Sequence, residues 1–278
     1  MESGLYIVAT PIGNLGDMTT RAVEVLRAVD LIAAEDTRHS QRLLQHFGID
    51  NRLVPYHDHS DGRSQARILE VLHGGGSVAL ISDAGTPLIS DPGYRLVRDV
   101  QALGHSVRPI PGASALIAAL SVCGLATDRF RFEGFLPAKP GTRDNYLKGL
   151  IDETATLVFY EAPHRLVDTL DAMLRHFGAA REAVLAREIT KTFETVQRAP
   201  LSELTEFVRN DSNQQKGEIV LVIAGRVDGN AQLDAATASL LRALAAELPA
   251  KKAAALVAEH SGLRKKDLYN YLLSIKGD

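Results

Sequence analysis

The stretch Val78-Ala79-Leu80-Ile81-Ser82-Asp83-Ala84-Gly85-Thr86-Pro87-Leu88-Ile89-Ser90-Asp91-Pro92-Gly93 decides how the chain reads. Its first four residues form a short apolar run bounded by turn formers, the pattern of a strand buried on both faces in a parallel sheet. Gly and Pro then break any regular element, and a helical pattern resumes at Tyr94. The stretch is therefore a rigid loop at the carboxyl end of a core strand, where open α/β sheets bind ligands. Gly85 admits a ligand close to the backbone, Pro87 fixes the path, and Asp83 and Thr86 offer hydrogen-bonding side chains. The bland alternative is a structural turn with no ligand.

Outward from this loop, short strands alternate with helices. Strands read at 4–10, 31–34, 52–56, 78–81 and 106–110; helices follow Thr19 or Thr20, then run at 40–47, 63–72, up to Leu103, and from Pro111 to Val122. Alternation of this kind predicts a parallel sheet with right-handed crossovers. Every strand ends in polar or special residues (Thr10-Pro11, Glu35-Asp36-Thr37-Arg38, His57-Asp58-His59, Ser82-Asp83, Pro111-Gly112), so these share one edge and line one cleft. Neither a GxGxxG after the first strand nor a GxxxxGK[ST] occurs, which argues against a dinucleotide fold and a P-loop. His57-Asp58-His59 reads as a polar rim rather than a metal pair, for want of a third ligand. Glu35 to Arg38 reads equally as a helix cap with a local ion pair.

The pattern shifts between Cys123 and Arg131, giving domains at 1–124, 125–227 and 228–278. The second domain carries strands at 130–135, 156–160 and 219–224 and an antiparallel pair at 183–188 and 192–197, with helices at 145–151, up to Phe177 and 201–209. Between its paired strands Arg187, Glu188, Lys191 and Glu194 cluster, either as a solvated edge or as part of a site. Beyond the Asp228-Gly229-Asn230 linker the chain is helical at 233–246, 249–259 and 266–275.

Composition narrows the class. The 278 residues are 45% hydrophobic and 23% charged, ordinary for a globular protein, with no apolar run of membrane-spanning length. The lone Cys123 suits a reducing cytoplasm, and Met1-Glu2-Ser3-Gly4 does not read as a signal peptide. The net charge of −3 hides an asymmetry: from Ala250 to Lys276 six basic residues face two acidic ones, leaving the rest of the chain at −7. A basic end on an acidic body predicts an anionic partner met through Lys251, Lys252, Arg264, Lys265 and Lys266.

Thr10-Pro11-Ile12-Gly13-Asn14-Leu15, Ala34-Glu35-Asp36-Thr37-Arg38, Ser82 to Ile89, Pro111-Gly112-Ala113-Ser114-Ala115, Glu133-Gly134-Phe135-Leu136-Pro137 and Lys216-Gly217-Glu218 follow one another in an order that resembles the ribosomal RNA small subunit methyltransferase I family, a branch of the tetrapyrrole methylase fold class. The resemblance covers nearly the whole chain. It implies two α/β domains with S-adenosylmethionine in the cleft between them, a small helical tail, 2′-O-methylation of a decoding-centre cytidine ribose in 16S rRNA of the 30S subunit, a homodimer and a cytoplasmic location. It also implies a cofactor site at Pro11, Asp83, Gly85, Thr86, Ile89, Ser114, Ala115, Tyr160, Ala186 and Gly217. Thr86 stands where the porphyrin-acting relatives carry Asp, leaving Asp83 as the nearer acid. For the transfer itself the candidates are Asp36, Glu188 and Lys191 for the proton, with Arg38 or Arg187 on phosphate. No metal is required. The rivals are a tetrapyrrole methyltransferase of the same fold and an RNA-binding assembly factor with a vestigial cleft.

Overall fold

The computed structural model describes residues 1–57, 62–226, 233, 235–261, 263 and 265–275. The chain divides into two compact units, Met1–Ile151 with Thr156–Ala224, and Asp152–Ala155 with Gly225–Asp278.

The decisive stretch opens with strand β4, and it sits at the centre of its sheet. Strands β1 (Gly4–Val8), β2 (Leu31–Ala34), β3 (Leu53–Pro55), β4 (Ser77–Ile81) and β5 (Val107–Ile110) pair in the order β3-β2-β4-β1-β5. Every pairing is parallel. The apolar run of β4 is continuous because both of its faces are covered. Ala79 and Ile81 pack with Ala22, Val25 and Leu26 of helix α1 (Thr20–Ala28) and Leu44 of α2 (Thr37–His46). Val78 and Leu80 pack with Ile68 and Leu72 of α3 (Arg63–His73) and Leu96 and Val100 of α4 (Tyr94–Ala102). Thr19 caps α1, its hydroxyl accepting the Ala22 amide at 3.1 Å. Helix α2 starts three residues before the Ser40 expected from sequence, because the Asp36 carboxylate accepts the Arg38 and His39 amides.

The second sheet is mixed. Strands β6 (Phe130–Phe135), β7 (Thr156–Glu161), β8 (Glu182–Arg187), β9 (Thr195–Pro200) and β10 (Ile219–Ile223) run in the order β6-β7-β10-β8-β9. Only β6 and β7 pair in parallel. One face packs on α7 (Leu166–Phe177) and α8 (Leu201–Asn210) through Phe159, Leu185, Leu221, Leu170, Met173 and Leu204. The other face receives α5 (Ala115–Val122): Leu116, Ala119, Leu120 and Cys123 pack on Val158, Val184, Val220 and Val222. Helix α5 follows the last strand of the first sheet yet buries its apolar side on the second.

In the second α/β region two further boundaries differ clearly from the sequence reading. Helix α6 spans Pro140–Lys148 rather than 145–151, since Pro140 occupies its first turn, where a missing N–H costs nothing. Strand β9 begins at Thr195, because residues 188–194 make a turn with Glu188 and Thr190 at φ +52° and +70°.

In the second unit α9 (Ala235–Glu247), α10 (Ala250–Ser261) and α11 (Lys265–Ser274) share a core of Leu241, Ala253, Ala254, Val257, Leu268 and Leu272. The Arg226 guanidinium pairs with Asp152, and its amide donates to the Glu153 carbonyl. The expected linker at 228–230 lies outside the described residues.

Candidate active site

The loop after β4 is pinned to the loop after β1. Thr10 and Gly85 exchange backbone hydrogen bonds of 2.9 and 3.1 Å, and the Thr10 hydroxyl donates to the Ser82 carbonyl at 3.3 Å. Gly85 adopts φ +79°, and an added Cβ would sit 3.3 Å from Ile12 Cγ2. The Thr86 hydroxyl donates to the Ala113 carbonyl at 3.0 Å, tying this turn to the segment that opens α5. From the second sheet the Tyr160 hydroxyl accepts the Leu116 amide at 3.2 Å, fixing the same helix end. Burial raises the Tyr160 pKa, so its hydroxyl stays protonated.

These ties leave a cleft of about 380 Å³, within the range of small-molecule sites. Gly85, Thr86, Ile89, Ser114 and Ala115 line it from the first sheet's side, and Tyr160, Ala186 and Gly217 from the second's. Eight cofactor candidates, spread over more than a hundred residues of sequence, thus line one cleft. Pro11 and Asp83 line a neighbouring depression of about 270 Å³ under α2 instead. Ile12, Asp91, Phe135, Glu161, Glu218 and Val220 line the cleft and were not singled out from sequence. Asp91 lies in the Gly- and Pro-rich loop between β4 and α4, and that loop chemistry was the available signal. Burial raises its carboxyl pKa, and Asp83 adds to that, against a lowering bond from Ser82. Burial likewise raises Glu35, with Asp91 and Asp83 contributing. Glu161 is buried and accepts the Thr169 hydroxyl at 2.5 Å and the Ala162 amide at 2.7 Å, so it braces the cleft wall.

The charged candidates fall in two places. Asp36 accepts the Arg38 amide at 2.8 Å and the His39 amide at 3.3 Å, which lower its pKa. Its carboxylate lies 3.8 Å from Arg38, whose side chain is 93% exposed. Capping and the local ion pair therefore both occur here, outside the cleft lining. Glu188 and Lys191 do not line the cleft themselves but adjoin it through Glu218, which does: the Lys191 ammonium donates to Glu188 at 2.8 Å and pairs with Glu218 at 3.1 Å. Burial alone would raise Glu188 and lower Lys191, but their hydrogen bonds outweigh it, so Glu188 is held low and Lys191 high. Arg187 is buried, donating to Gln214, Lys216 and Phe193, so its donors serve the fold and not a ligand.

His57 is exposed at the end of β3, while Asp58 and His59 lie outside the described residues. Among the described residues no group of three or more His, Cys, Asp or Glu side chains could hold a metal. Lys251 and Lys252 on α10 and Lys265 and Lys266 on α11 are exposed; Arg264 lies outside the described residues. No described helix is long and apolar enough to cross a membrane.

A parallel sheet and a mixed sheet facing each other across such a cleft define the tetrapyrrole methylase class. Among solved structures, the fold is similar to uroporphyrin-III-C-methyltransferase of Thermus thermophilus, with a TM-score of 0.56 at 20% identity over 79% of this chain and 93% of that one. It is similar also to cobalt precorrin-4 methyltransferase, with a TM-score of 0.59 at 15% identity over 78% and 93%. Residues 4–205 match the Tetrapyrrole (Corrin/Porphyrin) Methylases, and residues 231–276 match the RsmI C-terminal HTH domain. The protein named ribosomal RNA small subunit methyltransferase I in Pseudomonas aeruginosa is 56% identical, covering 100% of this chain and 99% of its own. Its namesake in Escherichia coli O157:H7 is 53% identical over 99% and 96%. The chain belongs to the ribosomal RNA small subunit methyltransferase I family of the tetrapyrrole methylases.

Proposed function

We propose that the protein is an S-adenosylmethionine-dependent methyltransferase that 2′-O-methylates the ribose of a decoding-centre cytidine in 16S rRNA. The observation that carries this reading is the presence, in one chain, of the methylase region at 4–205 and the helical region at 231–276, with full-length identity above 50% to rRNA methyltransferases. The cleft suits the cofactor: a glycine cradle at Gly85, apolar faces from Ile12, Ala186 and Val220, and hydroxyls and amides at Thr86, Ser114 and Ala115 for an amino-acid end. When bound, the cofactor supplies a methyl group on a sulfonium sulfur. A solved relative of the same fold, 18% identical with a TM-score of 0.55, is described as complexed with S-adenyl homocysteine.

The protein's own part is to align the acceptor hydroxyl in line with that methyl group, exclude water and accept the hydroxyl's proton. Glu188, held as a carboxylate beside the cleft, can accept that proton, while Lys191, held protonated, orients it and Glu218 joins their network. Asp36 fixes the start of α2, so that exposed Arg38 meets phosphate at the strand edge. The domains at 1–124 and 125–227 hold the donor between them, and the basic helices of 228–278 grip RNA. The substrate is the assembled 30S subunit, the enzyme works as a homodimer, and the location is the cytoplasm, where ribosomes are assembled.

Calorimetric titration with S-adenosylmethionine, followed by tritiated methyl transfer to 30S subunits, free 16S rRNA and a porphyrin precursor, tests the reading. Transfer to 30S subunits at a ribose hydroxyl is expected. Transfer only to the porphyrin would make this a small-molecule enzyme, and cofactor binding without any transfer would leave an assembly factor. Sedimentation at assay concentration reports the dimer.

A further inference from the structure

The loops after β1 and β4 face two ways. Ile12 and Gly85 turn toward the donor cleft, whereas Pro11, Gly13 and Asp83 turn toward the 270 Å³ depression closed by α2. On that helix His39, Arg42, Leu43 and His46 follow the spacing of one face, while Ser40 and Leu44 are buried on the other. Three nitrogen-bearing side chains thus rim an opening with Pro11, Leu15 and Leu43 as its apolar lining.

Arg42 is exposed and makes no ion pair or hydrogen bond among the described residues. The acid in the wall is already engaged, since Asp83 Oδ1 accepts the Asp36 amide at 3.0 Å. That bond locks the start of α2 to the β4 loop and leaves the second carboxylate oxygen as an acceptor. The partition between the two openings is thin. Gly13, at φ +140°, lies under Lys191, whose Cε and Cγ sit 2.5 Å from where a Cβ would be. The Lys191 ammonium reaches Glu218 in the wall of the donor cleft.

We propose that the depression under α2 is the acceptor-strand subsite, taking one nucleotide of single-stranded RNA beside the methylated ribose. Arg42, flanked by His39 and His46, holds its phosphate; Pro11, Leu15 and Leu43 meet the flat faces of base and sugar; and Asp83 accepts a sugar hydroxyl. Extended RNA is recognised in this way, by cations along the backbone and surfaces for unstacked bases. The proposal rests on RNA being the acceptor, and it explains how an acidic body presents a local cationic lip beside its donor cleft.

The test measures binding of a short, fluorescently labelled single-stranded oligoribonucleotide to the full chain across a salt series. Wild type is compared with Arg42→Ala and Arg42→Lys, with S-adenosylmethionine affinity as the check on folding. For Arg42→Ala we expect roughly tenfold weaker RNA binding and a salt slope smaller by about one, at unchanged cofactor affinity. Arg42→Lys should recover the slope. Equal affinity and slope in wild type and Arg42→Ala overturn the subsite, whatever the outcome of methyl transfer. If the Arg42 effect is present while wild type transfers no methyl group to rRNA, RNA binding at the depression stands, but its acceptor role is overturned together with the enzymatic reading.

Discussion

At the scale of single residues, Gly85 and Asp91 carry opposite constraints on the same loop. Gly85 holds a left-handed backbone while bonded to Thr10 and facing Ile12. Gly85→Val forces a β-branched side chain into that conformation, costing about 1–3 kcal/mol of stability through strain. It also pushes on Ile12 in the cleft wall, so cofactor affinity should drop beyond detection by calorimetry while the thermal transition stays cooperative. Gly85→Ala should show the same direction at smaller size. Asp91 is a cleft carboxyl whose ionisation burial opposes. A raised acid pKa means that the folded state binds the proton more tightly than the unfolded one. Stability is then greatest below the ordinary carboxylate range and is lost as pH rises through the raised value. Asp91→Asn should therefore melt higher than wild type at neutral pH, and the difference should vanish in acid. Parallel melting curves across the whole pH range would contradict this account.

At the scale of elements, α5 couples the sheets. Its N-cap Ser114 and first residue Ala115 line the cleft, its Leu116 amide is held by Tyr160, and its apolar side packs on the second sheet. Leu120→Ala should cost about 2–5 kcal/mol in denaturant unfolding, and it should weaken cofactor binding without touching the cleft. A normal cofactor affinity at reduced stability would mean that the helix only fills space. This element also shows what a sequence can disclose. The run of apolar residues made α5 readable as a buried helix, but nothing local says which sheet covers it, because the covering residues lie at 158, 184, 220 and 222. The β4 run and its loop were legible because strand burial and turn chemistry are both local. The start of α2 was not: Asp36 can cap or react, and only the folded amides decide between them. The depression under α2 was equally hidden, since His39 and His46 meet Pro11 and Asp83 only after β1, β2 and β4 are laid side by side.

At the scale of the whole molecule, charge is divided between an acidic body and a basic helical end. Replacing Lys251, Lys252, Lys265 and Lys266 together by Ala removes exposed cations without touching the buried residues of α10 and α11. Cofactor affinity should be unchanged, and binding to 30S subunits should weaken with a shallower salt dependence, by about one unit of slope for each phosphate no longer neutralised. The same affinity and slope as wild type would reduce these helices to a cap.

The strand order of the second sheet has a consequence for how the chain is made. The first sheet is complete once Ile110 has been synthesised, but β10, the last strand in sequence, occupies the middle of the second. Until Ile223 leaves the ribosome, the β6–β7 and β8–β9 pairs have no strand to join them. Production is therefore stepwise: an N-terminal half able to resist protease early, and a second half that closes in one late event. Nascent chains arrested before Ile219 should yield a protected N-terminal fragment alone, and chains arrested well beyond Ala224 should yield the whole body, so the donor cleft is among the last features to form.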